Sequence, residues 1–271
     1  MTQIDRIKVR RAFSEKSGNY DDLAVVQQRV VRRFLDGILA SGSEPSAVLD
    51  VGAGTGRLLE SLLVRFPSLF AVGLDMAHGM ARSAARRLPA ESDAALVCAD
   101  GEHLPFRDCS FDTVVSTSTY QWLNPLDSAF AEALRVLKPG GRFCFAMFGE
   151  STLFELKASY RQALLLHGSS AADRSHRFSS RAETLEALGR AGFTECRVTS
   201  ETEVERHRDV PALLRSLKGI GAGNAAPVQG KGLGGRTVTA AMIDQYEKNY
   251  GGDSGIPATY EVLYGQGIRR G

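Results

Sequence analysis

Val48-Leu49-Asp50-Val51-Gly52-Ala53-Gly54-Thr55-Gly56 sets a short apolar strand against a turn with glycine at every second position. Residues 58–66, Leu-Leu-Glu-Ser-Leu-Leu-Val-Arg-Phe, follow with the spacing of a helix. Strand, glycine turn and helix in that order read as a ligand-binding turn at the carboxyl end of a parallel strand. Glycine suits such a turn, because a Cβ would block both left-handed backbone and close approach to a ligand. The spacing is not the dinucleotide fingerprint Gly-x-Gly-x-x-Gly, which needs glycine at position 57. Arg57 stands there, and the third glycine is Gly56. Asp50, two residues before the first glycine, disfavours a pyrophosphate and suits a cationic ligand. Surface loops are often glycine-rich, so the turn alone decides little; the flanking strand, the helix and Asp50 carry the reading.

A ligand with both an ammonium and a sulfonium group fits an acid at this place, and S-adenosylmethionine (SAM) is such a ligand. The pattern resembles the first motif of the class I SAM-dependent methyltransferases, acid-x-Gly-x-Gly-x-Gly. That resemblance implies an α/β, Rossmann-like fold: a mostly parallel seven-stranded sheet with helices on both faces, in one domain spanning the chain. It assigns Asp50, Gly52, Ala53, Gly54 and Gly56 to the cofactor.

Residues 69–75 are a second strand ending in Asp75, placed to accept from both ribose hydroxyls; the plainer role of such an Asp is a helix cap. Met76 packs on the adenine face or fills core. A third strand, 94–100, leads into Asp100, Gly101 and Glu102. In the methyltransferase pattern an acid here accepts from the adenine amino group, and the next two residues offer backbone groups to the ring. An Asx-turn at Asp100 is the alternative. A fourth strand, 111–116, enters Thr117-Ser118-Thr119-Tyr120-Gln121-Trp122, a loop expected to face the transferred methyl. Thr117 is assigned to the cofactor, and Gln121 and Trp122 to positioning of the substrates; Trp122 would serve equally as a core anchor for a helix at 129–137. A turn at 137–141 and a fifth strand at 142–148 complete a pattern that matches the family over roughly residues 45–150.

The composition excludes several classes. The chain has 271 residues, 43% of them hydrophobic, with 33 basic against 31 acidic side chains and a net charge of +2. That is no general nucleic-acid binder. The Asn/Asp-Pro-Pro-aromatic motif of base-modifying enzymes is missing after strand four, where Asn124-Pro125-Leu126 is displaced and incomplete; no Pro-Cys pair or zinc-ligand spacing occurs. Four scattered cysteines without a CxxC pair fit a reduced, cytoplasmic setting. Residues 1–16 are too polar for a signal peptide, and no apolar run approaches a membrane span.

The flanks of the core carry the rest. Residues 1–22 are basic around Phe13 and Tyr20, and 23–40 form an amphipathic helix. Residues 1–40 are a cap over the cofactor pocket, or a solvated charge run beside a packing helix. Helices are expected at 153–166, 182–191, 211–217 and 239–249, strands at 193–203 and 259–264, and a glycine-rich loop at 223–236. The inserts 151–192 and 205–250 read as a lid and substrate region.

Methyl transfer from a sulfonium is an in-line displacement, so alignment supplies much of the catalysis. A nucleophile of high pKa also needs a general base, whereas a carboxylate is already ionised. The loop 117–122 offers threonines, a tyrosine and a glutamine but no acid, histidine or cysteine, which favours an ionised oxygen nucleophile. His103, His167, His176 or His207 would have to fold in to change that. A carboxylate acceptor wants a cation, and Arg177 and Lys218 are the candidates, each otherwise a solvated surface charge.

Several further segments resemble the malonyl-acyl-carrier-protein O-methyltransferases of biotin biosynthesis. They are Arg11-Ala12-Phe13-Ser14 with Tyr20-Asp21, then Gln121-Trp122, His176-Arg177-Phe178 (His where the family has Asn), the stretch Leu214-Arg215-Ser216-Leu217-Lys218-Gly219-Ile220-Gly221-Ala222, and Thr259-Tyr260-Glu261-Val262. The resemblance covers nearly the whole chain. It implies a SAM-dependent carboxyl O-methyltransferase that esterifies the free carboxylate of a malonyl thioester, on acyl carrier protein in preference to coenzyme A. The masked chain end would then enter fatty-acid elongation toward a pimeloyl thioester. Tyr20 and Gln121 would line the methionine end of SAM or the acceptor pocket. An acidic carrier would dock on Arg6, Lys8, Arg10, Arg11, Arg206, Arg208 and Arg215. No metal is implied. Two other readings share the SAM motifs: a methyltransferase for another small carboxylic acid or a quinone-type acceptor, and a non-catalytic SAM-binding partner protein.

Overall fold

β1 (Ala47–Val51) is buried along its whole length, Asp50 included, as befits a parallel strand with neighbours on both edges and helices on both faces. The computed structural model describes residues 5–40, 44–167, 177–223 and 233–271. In it β1 pairs in parallel with β2 (Phe70–Asp75) on one side and β4 (Phe111–Thr117) on the other. β3 (Ala94–Cys98) continues beyond β2, and β5 (Leu137–Phe148) beyond β4. The seven-stranded order is β3-β2-β1-β4-β5-β7-β6, with β7 (Ile256–Ile268) antiparallel between β5 and β6 (Thr194–His207). The chain therefore steps outward from β1 to β3 and returns to β4 on the opposite side. The carboxyl end of β1 is the topological switch point, where such sheets bind their ligands.

β6 and β7 run longer than the sequence suggests. Glu201-Thr202-Glu203-Val204-Glu205-Arg206-His207 alternates charge with little apolar content, as an edge strand facing water does, and so gives a weak apolar signal.

Helices cover both faces. One core joins α3 (Val25–Ala40), α4 (Arg57–Arg65), α7 (Phe154–Leu166), α9 (Val210–Gly219) and α10 (Leu233–Tyr250). The other joins α6 (Leu126–Val136) and α8 (Arg181–Ala191) to the opposite face. α5 (His78–Arg87) runs beside β2 and β3. Before α3 come α1 (Arg6–Lys16) and α2 (Tyr20–Leu23), so the single helix expected over 23–40 loses its first residue to α2. α10 begins at Leu233, inside the segment expected to be loop; positions 224–232 of that segment lie outside the described residues. Among the described residues no helix is long and apolar enough to cross a membrane.

Candidate active site

Backbone hydrogen bonds place the glycine turn before any side chain acts. The N–H groups of Gly52 and Ala53 both donate to Leu74 O, at 2.7 and 2.9 Å, so the end of β2 anchors the turn. Gly52 has φ +78°, and a Cβ there would lie 2.0 Å from Thr119 Oγ1. Gly56, with φ +82°, starts α4 where a Cβ would press on Ala84 Cβ at 3.0 Å, so glycine lets α4 and α5 pack closely. Asp75 is held from both sides: Gly54 N donates to Oδ2 at 2.9 Å and Ala77 N to Oδ1 at 2.7 Å.

Two acids at adjacent strand ends share this buried place. Burial pushes Asp75 up to about 6, against the pull of the Ala77 and Gly54 N–H groups. Burial and the charge of Asp75 push Asp50 up to about 8. Asp50 Oδ1 is buried with no hydrogen-bond partner. A buried acid with an unanswered oxygen beside a second acid is relieved by a cation, which is the charge SAM carries.

A cleft opens above the turn. Gly52, Ala53, Gly54, Asp75, Met76, Gly101 and Thr117 line it from the sheet. Asp50 lies beneath this wall, and Gly56 faces α5. Asp100 and Glu102 also stand off the wall, because Arg6 takes them: its Nη1 donates to Glu102 Oε2 at 2.6 Å and its Nη2 pairs with Asp100 Oδ1. Burial raises the Asp100 pKa, but Arg6 and the Glu102 N–H outweigh it and hold the carboxyl below its usual value.

The N-terminal helices close the cleft. Val9, Phe13, Tyr20 and Asp21 line it. Gly79 N donates to Ser14 Oγ at 3.0 Å, joining α1 to α5. Asp21 accepts from Thr55 Oγ1 at 2.9 Å and pairs with Arg87, joining α2 to the glycine turn and α5. Burial, then Asp75 and Asp21, push the Tyr20 phenol far above its ordinary value, so it stays a neutral donor.

A second cleft continues from the first through Phe13, Tyr20, Ser118 and Trp122. Its further walls are Gln121, Phe148, Phe178, Ile220 and Tyr260. Gln121 is buried and donates to Ser118 O at 2.7 Å. Trp122 meets Phe13 and Phe178 edge-on at 6.0 and 6.1 Å, so it walls the cleft and joins the core that holds the cap; α6, which it was expected to anchor, belongs to the other core. Tyrosine is the only titratable type among the described residues lining this second cleft.

A malonyl-[acyl-carrier protein] O-methyltransferase of Geobacter sulfurreducens is 54% identical over 98% of this chain and 100% of its own. The chain belongs to the malonyl-[acyl-carrier protein] O-methyltransferase family. A relative of the same name from Methylovorus sp. is 39% identical over 97% of this chain and 88% of its own. The family described as "Methyltransferase domain" matches residues 49–145. A crystal structure of a putative methyltransferase from Bacillus halodurans shares the fold at 17% identity, with a TM-score of 0.60, over 89% of this chain and 99% of that one.

SAM is the methyl donor of this methyltransferase, and the open turn at Gly52 and Gly54, the strand-end Asp75 and the unanswered Asp50 oxygen fit it. The methyltransferase places the two expected substrate cations elsewhere. Arg177 stands at the surface, 66% exposed, and pairs with Glu183 at 2.6 Å. Lys218 is exposed in the last turn of α9. Neither lines a cleft, although their sequence neighbours Phe178 and Leu217 do. His176 lies outside the described residues. Sequence reasoning missed Asp21 and Arg6 as the fastenings of the cap, since their partners are far along the chain. Among the described residues no group of His, Cys, Asp and Glu is arranged to hold a metal ion.

Proposed function

We propose that this methyltransferase esterifies the free carboxylate of a malonyl group borne on acyl carrier protein. The observation that carries the reading is the second cleft. Its described walls offer no acid, histidine, lysine, arginine or cysteine, so no group there stands ready to take a proton. An acceptor in such a cleft has to arrive already ionised, as a carboxylate does at neutral pH. SAM, when bound, supplies an electrophilic methyl group and a positive charge beside the acceptor. The chain's own residues bind and orient. Tyr20, neutral and shared by both clefts, donates to the carboxylate. Trp122, Phe13 and Phe178 exclude water, which leaves the carboxylate with few competing donors. Thr117 and Met76 hold the cofactor side, while Gln121 shapes the acceptor side.

Arg177 and Lys218, exposed next in sequence to the cleft-lining Phe178 and Leu217, meet the anionic carrier arm rather than the reacting carboxylate. The acidic carrier docks beside them on Arg10 and Arg206, both exposed. Arg6 is spent on Asp100 and Glu102, and Arg11, Arg208 and Arg215 each stand beside an acid of their own. A charged docking face speeds encounter and sets preference for the carrier protein over coenzyme A. The ester product, stripped of its charge, then suits enzymes that extend apolar acyl chains toward the pimeloyl thioester of biotin synthesis. The free thiols fit a reduced cytoplasm.

The test is mass spectrometry of malonyl-acyl carrier protein, malonyl-coenzyme A and malonate incubated with protein and SAM. The expected result is a one-methyl gain on the carrier substrate, reversed by ester hydrolysis, at higher kcat/KM than on coenzyme A. No gain on any of the three, with SAM binding intact, overturns the proposal. Tyr20→Phe should lower kcat about tenfold, the worth of one hydrogen bond to a charged group, with SAM affinity kept. An unchanged kcat removes Tyr20 from the mechanism.

A further inference from the structure

A separate cavity of about 410 Å³ opens between α3 and the β5-β7-β6 end of the sheet. It shares no lining residue with either cleft of the active site. Its floor is one face of three strands. The register sets Cys144, Gln266 and Arg197 side by side across β5, β7 and β6. Arg142 lies two residues from Cys144 on the same face of β5. The roof is one side of α3, with Arg33, Phe34, Gly37 and Ile38.

Two features mark this as more than a packing fault. The first is Gly37, exposed in the last turn of α3. A Cβ there would meet no atom within 4 Å, so no neighbour requires the glycine, and its missing side chain keeps the cavity open. The second is charge. The lining holds three arginines against one glutamate. Arg33 and Glu201 answer each other in a two-pronged pair at 3.0 and 2.6 Å. Arg142 and Arg197 make no ion pair among the described residues. Two guanidinium groups without an ion-pair partner, Arg142 half-buried on the floor and Arg197 exposed at the rim, thus border a cavity whose other side, Phe34 and Ile38, is apolar. Burial pushes the Cys144 thiol up to about 11, so it adds no negative charge.

We propose that this cavity binds a small amphiphilic anion, with a carboxylate or phosphate head between Arg142 and Arg197 and an apolar body against Phe34, Gly37 and Ile38. Guanidinium forks match both heads. The site is independent of which acceptor is methylated. It shares α3 with the cofactor cleft, since Gln28 and Val31 line that cleft and the next two turns roof this one.

The experiment is calorimetry on the full chain saturated with S-adenosylhomocysteine, which keeps the cofactor cleft filled. Octanoate, octyl phosphate and inorganic phosphate are titrated separately. At least one octyl probe should bind saturably at one site per chain. Arg142→Gln and Arg197→Gln should each weaken it about tenfold or more, and Gly37→Leu should abolish it, with S-adenosylhomocysteine affinity unchanged. Arg142→Lys, which keeps the charge and loses the fork, should fall between. Failure of both octyl probes to saturate overturns the proposal. So does equal affinity in Arg142→Gln and Arg142→Lys to the unsubstituted chain, or inorganic phosphate binding as tightly as octyl phosphate.

Discussion

Gly52→Val should leave a protein that binds SAM more than about a hundredfold more weakly and melts well below the parent. The turn backbone at Gly52 has φ +78°, where an L-residue is disfavoured by about 1–2 kcal/mol and a β-branched one by more. The added Cβ would sit 2.0 Å from Thr119 Oγ1 and 2.4 Å from its Cγ2. Thr119 has little room to yield, since its hydroxyl faces Gly52 O and Thr117 O at 3.3 Å and its side chain is short and branched. Forcing extra volume into such a place costs about 1–3 kcal/mol more. Together these take a large part of the marginal stability of a domain. Gly140→Ala is the control. Gly140 has φ +76° but nothing within 4 Å of a Cβ, and it lies in the irregular stretch of β5 between Leu137 and Arg142, where the sequence suggests a turn before the strand. It should lower the melting temperature slightly and leave SAM affinity alone. Calorimetry with SAM and thermal melts of both variants make the comparison. If Gly52→Val bound SAM within threefold of the parent, the turn would not be the cofactor cradle.

The features legible in the sequence are those coded locally. β1 shows as a short apolar run, and a central parallel strand needs nothing more. Its glycines and the strand-end acids Asp50 and Asp75 stand within a few residues of the elements that position them. Features coded by distant partners were not legible. Arg6 reads as one of several N-terminal charges, yet it meets Asp100 and Glu102, 94 and 96 residues away. Asp21 meets Arg87 across 66 residues. The antiparallel entry of β7 between β5 and β6 also leaves no local mark, because strand order is settled by packing. Arg177 is the instructive case. Its partner Glu183 is also the third residue of a capping box with Ser180, and Ser180-Arg181-Ala182-Glu183 shows that box plainly. An acid fixed there, six residues on, was the local signal that Arg177 had a partner at the surface.

SAM should bind more tightly as pH rises from 6 to 8, by up to about tenfold per unit where one proton is lost on binding. The cause is the pair of acids, Asp50 buried and Asp75 half-buried at the cleft wall. Without a cation nearby, burial and the Asp75 charge hold Asp50 at about 8, and burial holds Asp75 at about 6, so near neutrality Asp50 is largely protonated. A cation favours both carboxylates in their ionised form and lowers both values. Binding then expels a proton, and expulsion is easier at higher pH. The sign for the free protein is opposite. A carboxyl whose folded value lies above its unfolded value gives stability that is full below about 4 and is lost as pH rises through about 8. The free protein should therefore melt at lower temperature from pH 6 to pH 8, while the increment from saturating SAM grows. Calorimetry at pH 7 in two buffers of different ionisation heat counts the protons directly. Asp50→Asn, which keeps the shape and removes the titration, should cut both the proton release and the pH slope, and should weaken SAM at pH 8 more than at pH 6. Proton release unchanged in Asp50→Asn would transfer the effect to Asp75. No release in the unsubstituted protein would mean that Asp50 stays protonated under the bound cofactor and serves as a hydrogen-bond donor.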